Sequence, residues 1–274
     1  MIDLHLHTTC SDGTLSPETL VAEAARVGIT VLAVTDHDTV AGLPEAEAAA
    51  AARGLRLVPG IEITTVNGSA DVHLLAYFVD RASPRLAALL ARLRDERLAR
   101  GAEMVDRLRA AGAPIGDAAL ADAAASSRSI GRPQIARALV AAGHAASVDD
   151  AFERFLSPGR AAYVPHRGPS PADAIATVTA AGGLASLAHP GLLQHDDWIP
   201  GLAADGLSAL EAYHSSHDAQ TCGRYVRLAS SLGLLVTGGS DYHGPGMRRS
   251  EFFGVAGLPQ DDFARLDALR TASE

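Results

Sequence analysis

Short runs of Val, Ile and Leu alternate along the chain with longer alanine-rich stretches of helical period. Ile2–Leu6 reads as a strand, and Ser16-Pro17-Glu18 opens a helix, with Ser16 as N-cap and Pro17 where its missing N–H costs nothing. That helix runs to about Val27 and Gly28 ends it. Val31–Thr35 is a second strand, followed by a helix from about Leu43 to Arg53 that Gly54 closes. Leu57–Thr64 and Val72–Val79 form strands three and four. Later come a helix at Ala172–Ala181 and strands at Leu184–Ala188, Ala209–Tyr213 and Leu234–Thr237. Strands alternating with helices imply a parallel sheet or barrel.

Between strands four and five no strand pattern appears. Helical patterns cover Pro84–Ala111, Asp117–Ala125, Arg132–Ala142 and Val148–Phe155, with Gly and Pro at the turns. The expected organisation is α/β, a distorted (β/α)7-type barrel formed by residues 1–82 and 166–274. Residues 83–165 are a helical insertion, or cap, of a size barrels commonly carry. Its arginines read mostly as a solvated helix face. Arg132 differs: Gly131-Arg132-Pro133 sets it at a helix start, where backbone N–H groups also attract anions.

The polar residues that break this pattern carry the chemistry. Six of the eleven histidines sit at strand ends, most of them beside a carboxylate. His5 and His7, two apart on an apolar strand, project from one face. Thr35-Asp36-His37-Asp38, Gly60-Ile61-Glu62, Val72-His73, Ala188-His189-Pro190 and Gly239-Ser240-Asp241-Tyr242-His243 follow. Imidazoles and carboxylates converging from several strands suit several divalent metals, and barrel enzymes place active sites at strand carboxyl ends. His73 is the weakest member by position, because it begins its strand. For a single histidine a structural hydrogen bond explains more; for the whole set it does not.

Composition narrows the class. The chain has 274 residues, 47% apolar and only 4% aromatic, so its core is mostly aliphatic. A net charge of −9 argues against broad binding to a nucleic-acid backbone, though metals would reverse the sign locally. Cys10 and Cys222 are too few for a disulfide framework. No secretory pattern opens the chain and no run approaches a membrane span, so a cytoplasmic protein with no membrane association is expected.

In order along the chain, His5-Leu6-His7, Ser11-Asp12-Gly13, Thr35-Asp36-His37-Asp38, Gly60-Ile61-Glu62, His73, Ala188-His189-Pro190 and Ser240-Asp241-Tyr242-His243 resemble the PHP (polymerase and histidinol phosphatase) superfamily of metal-dependent phosphoesterases. The resemblance implies two or three divalent metals. One is held by His5, His7, Glu62 and Asp241, a second by Glu62, His73 and His189, and a third by Asp12, His37 and His243. Asp12 stands where some relatives have histidine. Manganese is the first expectation, with iron, magnesium and zinc compatible with the same donors. Hydroxide bridging the metals would attack phosphorus in line. Glu62, His189, Asp241 and His243 are the catalytic set, and Asp36 and Asp38 are carboxylates that orient or cap.

Arg132 matches an arginine suited to a second substrate phosphate, although Gln134 replaces a histidine that relatives often carry. His214, His217 and His166 are further substrate-binding candidates, with Arg160 behind them; His144 and His195 read as structural. The leading expectation is removal of the 3′-phosphate from nucleoside 3′,5′-bisphosphates. The alternatives are a 5′→3′ exoribonuclease acting on short 5′-phosphorylated RNA, or a histidinol phosphate phosphatase. A degenerate module that only binds metal is disfavoured, because every expected position holds a competent ligand. No protein partner is implied.

Overall fold

The computed structural model describes residues 1–116, 118, 121 and 129–271. The helix expected at Asp117–Ala125 lies largely outside them. Seven strands form one sheet in sequence order: β1 (Ile2–Leu6), β2 (Val31–Val34), β3 (Arg56–Asn67), β4 (Ala70–Tyr77), β5 (Leu184–Leu187), β6 (Ala209–His214) and β7 (Leu235–Gly239). A parallel bridge between Leu6 and Tyr242, with Asp241 N–H donating to His5 O (3.0 Å), brings the two edges together. The result is a nearly closed barrel. Around it or beyond it lie α1 (Pro17–Arg26), α2 (Leu43–Arg53), α3 (Pro84–Ala110), α4 (Arg132–Ala141), α5 (Val148–Ala151), α6 (Pro171–Ala180), α7 (Pro190–Leu193), α8 (Ile199–Ala204), α9 (Ala219–Ser231) and α10 (Gln260–Thr271), with α4 and α5 in a cluster of their own.

Local signals account for much of this. Ser16 caps α1 by accepting from Thr19 N–H, with Pro17 at the first position. Gly54 closes α2 in the left-handed conformation. The pattern did not reveal α8, α9 or α10. Nor is the sheet all parallel: β4 pairs antiparallel with both β3 and β5. The cause is local. Asn67 pairs with Ala70 across only Gly68 and Ser69, and a link so short can join only antiparallel strands. Reversal sets the first half of β4 at the end where the parallel strands finish, and His73 lies there.

The helices between β4 and β5 have two allegiances. Leu86, Leu89 and Leu93 of α3 join the barrel core, whereas Met104, Val105 and Leu108 pack with Ile135 and Leu139 of α4 in a separate cluster. One helix thus spans barrel and cap. Contrary to a solvated arginine face, Arg97 and Arg100 of α3 are buried. Arg97 donates to Asp38 (2.5 Å), Ile130 O (3.1 Å) and Thr64 Oγ1 (2.8 Å), and Arg100 donates to Val164 O (2.8 Å). Among the described residues no helix is long and apolar enough to cross a membrane.

Barrel closure demands glycine at position 239. A Cβ there would lie 2.5 Å from both Cβ and N of His5 and 2.7 Å from Asp3 Oδ1. Gly239→Ala should therefore overpack the β1–β7 seam and lower Tm by about 5 °C. Gly201→Ala in α8, where nothing lies within 4 Å, should leave Tm unchanged or raise it. Thermal unfolding of the pair checks this: equal Tm values would refute a tight seam.

Candidate metal centre

Each parallel strand delivers its polar residues at its carboxyl end. β1 contributes His5 and the following His7, and β2 leads into Asp36, His37 and Asp38. Glu62 lies within β3 and His73 within β4. After β5 and β7 the backbone turns through the left-handed region at His189 (φ 29°) and Asp241 (φ 55°), conformations that non-glycine residues adopt only when their surroundings enforce them. Both turns aim the side chains inward.

Glu62 is the hub. His5 Nε2 and His7 Nε2 lie 3.3 Å from Oε2, and His37 Nδ1 lies 3.1 Å from it. His73 Nδ1 (2.8 Å) and His189 Nε2 (3.1 Å) approach Oε1. Asp241 Oδ1 is 3.5 Å from His5 Nε2 and 3.4 Å from His7 Nε2. Separations near 3.4 Å match the edge of a donor tetrahedron whose bonds are about 2.1 Å. At the other edge, Asp12 lies 3.1 Å from His243 Nε2, 3.7 Å from His37 Nε2 and 3.8 Å from His7 Nδ1. The nine residues expected as ligands lie in one cluster, but their close groupings differ from the expected ones: His7 joins Asp12, His37 and His243, His5 and His7 meet Asp241, and His37 and His73 meet Glu62.

The donors fit a cation. Both nitrogens of His7, and Nδ1 of His37 and His73, are buried without a directed hydrogen bond. Orphaned polar atoms of this kind, aimed at shared carboxylates, are what a metal would satisfy. Burial pushes the Glu62 carboxyl up, but His37, His73 and His5 outweigh it and hold it well below the usual range. Asp12 and Asp241 are depressed against burial in the same way, the first mainly by His243 and His37, the second mainly by His5. Burial pushes His7 down, yet Asp241 and Glu62 raise it to about 10. The anionic charge is therefore fixed.

An outer set of residues holds these in place, and two of them escaped the sequence reading. Glu211, fully buried on β6, is 2.8 Å from His5 Nδ1 and accepts from His189 N–H (2.7 Å). Asp3 accepts from Ser240 N–H (3.0 Å) and its hydroxyl (2.6 Å) and from His5 N–H (3.2 Å); burial raises its carboxyl to about 6 despite these bonds. The available signal was a carboxylate inside an otherwise apolar strand. Asp36 accepts from Thr8 N–H (2.8 Å), Thr8 Oγ1 (2.6 Å) and Ser11 Oγ (2.5 Å), fixing the loop that carries Asp12. Asp38 pairs with Arg97 and accepts from Thr64 N–H (2.7 Å), so neither carboxylate caps α2, whose N-cap is Gly42.

The substrate-binding candidates divide. Arg132 and His166 line a cavity of about 180 Å³ that opens beside Asp12, His37 and His73. His214 and His217 do not line it. His214 is buried behind Asp241, 3.4 Å from Oδ2. His217 spends Nε2 on Gly191 N–H (3.2 Å) and Nδ1 on Ala212 O (3.0 Å), so it fixes the turn after β5. Arg160 is exposed, away from the cavity. Arg97 and Arg100, unforeseen, line it instead. Gln134 donates to Ser11 O and Ser129 O (3.3 Å) and accepts from Gly131 N–H (2.9 Å), fastening the cap to the Asp12 loop.

Glu62→Gln should abolish turnover and lower bound metal, because the amide cannot serve donors on both sides. Normal metal content with retained activity would contradict its place as hub. Glu211→Gln should keep the fold and lower metal affinity or activity about 10–100-fold through misorientation of His5. Metal titration and turnover together check both.

Comparison with known proteins agrees with this geometry. The family model of the PHP domain matches residues 3–108. The chain is 37% identical over 251 residues to a 3′,5′-nucleoside bisphosphate phosphatase of Chromobacterium violaceum, covering 89% of this chain and 88% of that one. It is 36% identical over 256 residues to a 5′-3′ exoribonuclease of Haemophilus influenzae, covering 89% and 90%. A solved structure from Bifidobacterium adolescentis, assigned as a metal-dependent phosphoesterase, superposes with a TM-score of 0.89 at 38% identity, over 97% of this chain and 95% of that one. With the barrel and the histidine–carboxylate cluster, these similarities show that the chain belongs to the PHP domain family and is a metal-dependent phosphoesterase.

Proposed function

We propose that the chain removes the 3′-phosphate of nucleoside 3′,5′-bisphosphates, leaving the nucleoside 5′-monophosphate. The observation that carries this reading is the cavity beside the cluster. Three guanidiniums line it, from Arg97, Arg100 and Arg132, and Arg100 Nη2 is buried without a hydrogen-bond partner. Burial, with Arg132 and Arg97 adding to it, pushes the Arg100 side chain down to about 10, a strain that a bound anion would relieve. Asp71 offsets part of this charge, 3.6 Å from Arg132 and 3.8 Å from His166. About 180 Å³ is small for a nucleoside and suits a phosphate group.

In this reading His5, His7, Glu62 and Asp241 hold one metal, Glu62, His73 and His189 a second, and Asp12, His37 and His243 a third, with manganese the first choice of ion. When bound, divalent metals make hydroxide available near neutral pH and neutralise phosphoryl oxygens. The chain supplies the rest. Glu62 and Asp241 fix the negative charge, Glu211 sets the ring of His5, and His189 and His243 complete the catalytic set. Arg132 and Arg100 grip the 5′-phosphate, so the 3′-phosphate reaches the cluster in a fixed register. Histidinol phosphate fits less well, because its ammonium group would meet the three guanidiniums.

A second reading, release of mononucleotides from 5′-phosphorylated RNA, is supported by a wider cavity of about 610 Å³ that opens at Asp12 and His243. A monoester ends at the scissile phosphate, whereas an RNA continues beyond it. The deciding experiment compares phosphate and nucleotide release by manganese-loaded protein from adenosine 3′,5′-bisphosphate and from a 5′-phosphorylated RNA oligomer. Faster turnover of the bisphosphate is expected; faster stepwise release from the oligomer would overturn the first reading. Arg132→Ala should raise KM about 10–100-fold for substrates bearing a 5′-phosphate and leave p-nitrophenyl phosphate unaffected. Equal losses on both would remove it from the 5′-phosphate site.

A further inference from the structure

Arg249 belongs to none of the motifs that mark the metal centre, yet it touches one of its carboxylates. Nη1 lies 2.6 Å from Asp241 Oδ2. The same oxygen is 3.4 Å from His214 Nε2, while Oδ1 faces His5, His7 and, at 3.6 Å, His243 Nδ1. The carboxylate is thus divided: one oxygen turns into the cluster and the other is held from behind. Arg249 takes up this position with φ at 66°, in the left-handed region, within the loop that follows β7. A non-glycine residue there is strained, and such strain persists where neighbouring contacts enforce it.

The guanidinium also faces outward. Its side chain is 20% exposed and lines the wider cavity together with Asp12, His243, Phe152, Met247 and Arg248. A guanidinium carries five N–H donors in a planar fork, so the bond to Asp241 leaves others free to serve the cavity. Its charge points the same way. A permanent cation beside a group that gathers metals disfavours their binding by simple repulsion, unless an anion joins them. Phosphoryl oxygens at the mouth of this cavity would be that anion.

We propose that Arg249 is a further catalytic residue: its guanidinium, seated against Asp241 at the mouth of the wider cavity, donates to a non-bridging oxygen of the phosphoryl group under attack. The bonds made and broken are those of ordinary ester hydrolysis. A P–O bond forms from water and the ester P–O bond breaks, its electron pair leaving on the alcohol oxygen, which takes up the proton given up by the water, while Arg249 transfers no proton and only neutralises charge on the equatorial oxygens. The inference rests on the metal-centre reading above and not on which nucleotide is cleaved. It separates two anion sites, Arg97, Arg100 and Arg132 for the distal phosphate and Arg249 for the scissile one.

The test uses the full chain loaded with manganese, as wild type, Arg249→Ala and Arg249→Lys. Three quantities are read: bound metal, kcat and KM on p-nitrophenyl phosphate and adenosine 3′,5′-bisphosphate, and inhibition by inorganic phosphate. Arg249→Ala should bind metal at least as well as wild type, because a positive charge is removed. It should lower kcat about 100-fold on both substrates and weaken phosphate inhibition about tenfold. Arg249→Lys should recover part of the inhibition, and it carries the test if the alanine variant does not fold. Loss of metal in both variants would reduce Arg249 to a prop for Asp241 and overturn the proposal. So would unchanged kinetics, or a loss confined to the bisphosphate. Failure of wild type on the bisphosphate alone would refute the nucleotide reading, and Arg249 would still be judged on p-nitrophenyl phosphate.

Discussion

A carboxylate almost wholly removed from water, 1% exposed, sits at the centre of this barrel with five imidazoles within 3.3 Å of its oxygens. Burying a charge is costly unless it is paired. Glu62 meets that demand by collecting nitrogens from β1, from the loop after β2, from β4 and from the turn after β5. The barrel must close so that these elements meet, and each must end at the same level. The glycine at 239 and the strained turns at His189 and Asp241 serve that one convergence, and the reversal of β4, set by its short turn, brings His73 into it.

The next layer of residues explains why the convergence is ordered. Glu211 reaches His5 and the backbone of His189, Asp3 ties Ser240 to β1, and Asp36 gathers the loop that holds Asp12. Each is a buried carboxylate whose oxygens accept several hydrogen bonds, so orientation is set from behind each donor and not by the donors themselves. Arg97 extends the same logic beyond the barrel, since it bonds Asp38 and Thr64 and the backbone at Ile130, just before α4, with one guanidinium. Arg97, Arg100 and Arg132 line a cavity on one side of the cluster and Arg249 lines one on the other, so positive charge flanks the carboxylates of an acidic chain.

The sequence by itself determined most of the alternation of elements, a helical stretch between β4 and β5, and which histidines and carboxylates gather at the strand ends. Those features are local: period-two projection puts His5 and His7 on one face, and strand ends announce His37, His189 and Asp241. The Asn67-Gly68 turn was equally local and dictated an antiparallel β4, although alternating strands and helices suggested otherwise. What only the tertiary structure decided was every role that depends on a distant partner. Arg97 and Arg100 have the same helical spacing as solvated arginines, and only packing against the barrel buries them. Glu211 is 206 residues from His5, and Arg249 earns its place by a contact across the loop after β7. His217 reads as a substrate-binding residue in Tyr213-His214-Ser215-Ser216-His217, yet two backbone bonds occupy it. A side chain's chemistry is written in its identity, but its protonation, its partners and the direction it faces are set by what the fold brings within a few ångströms.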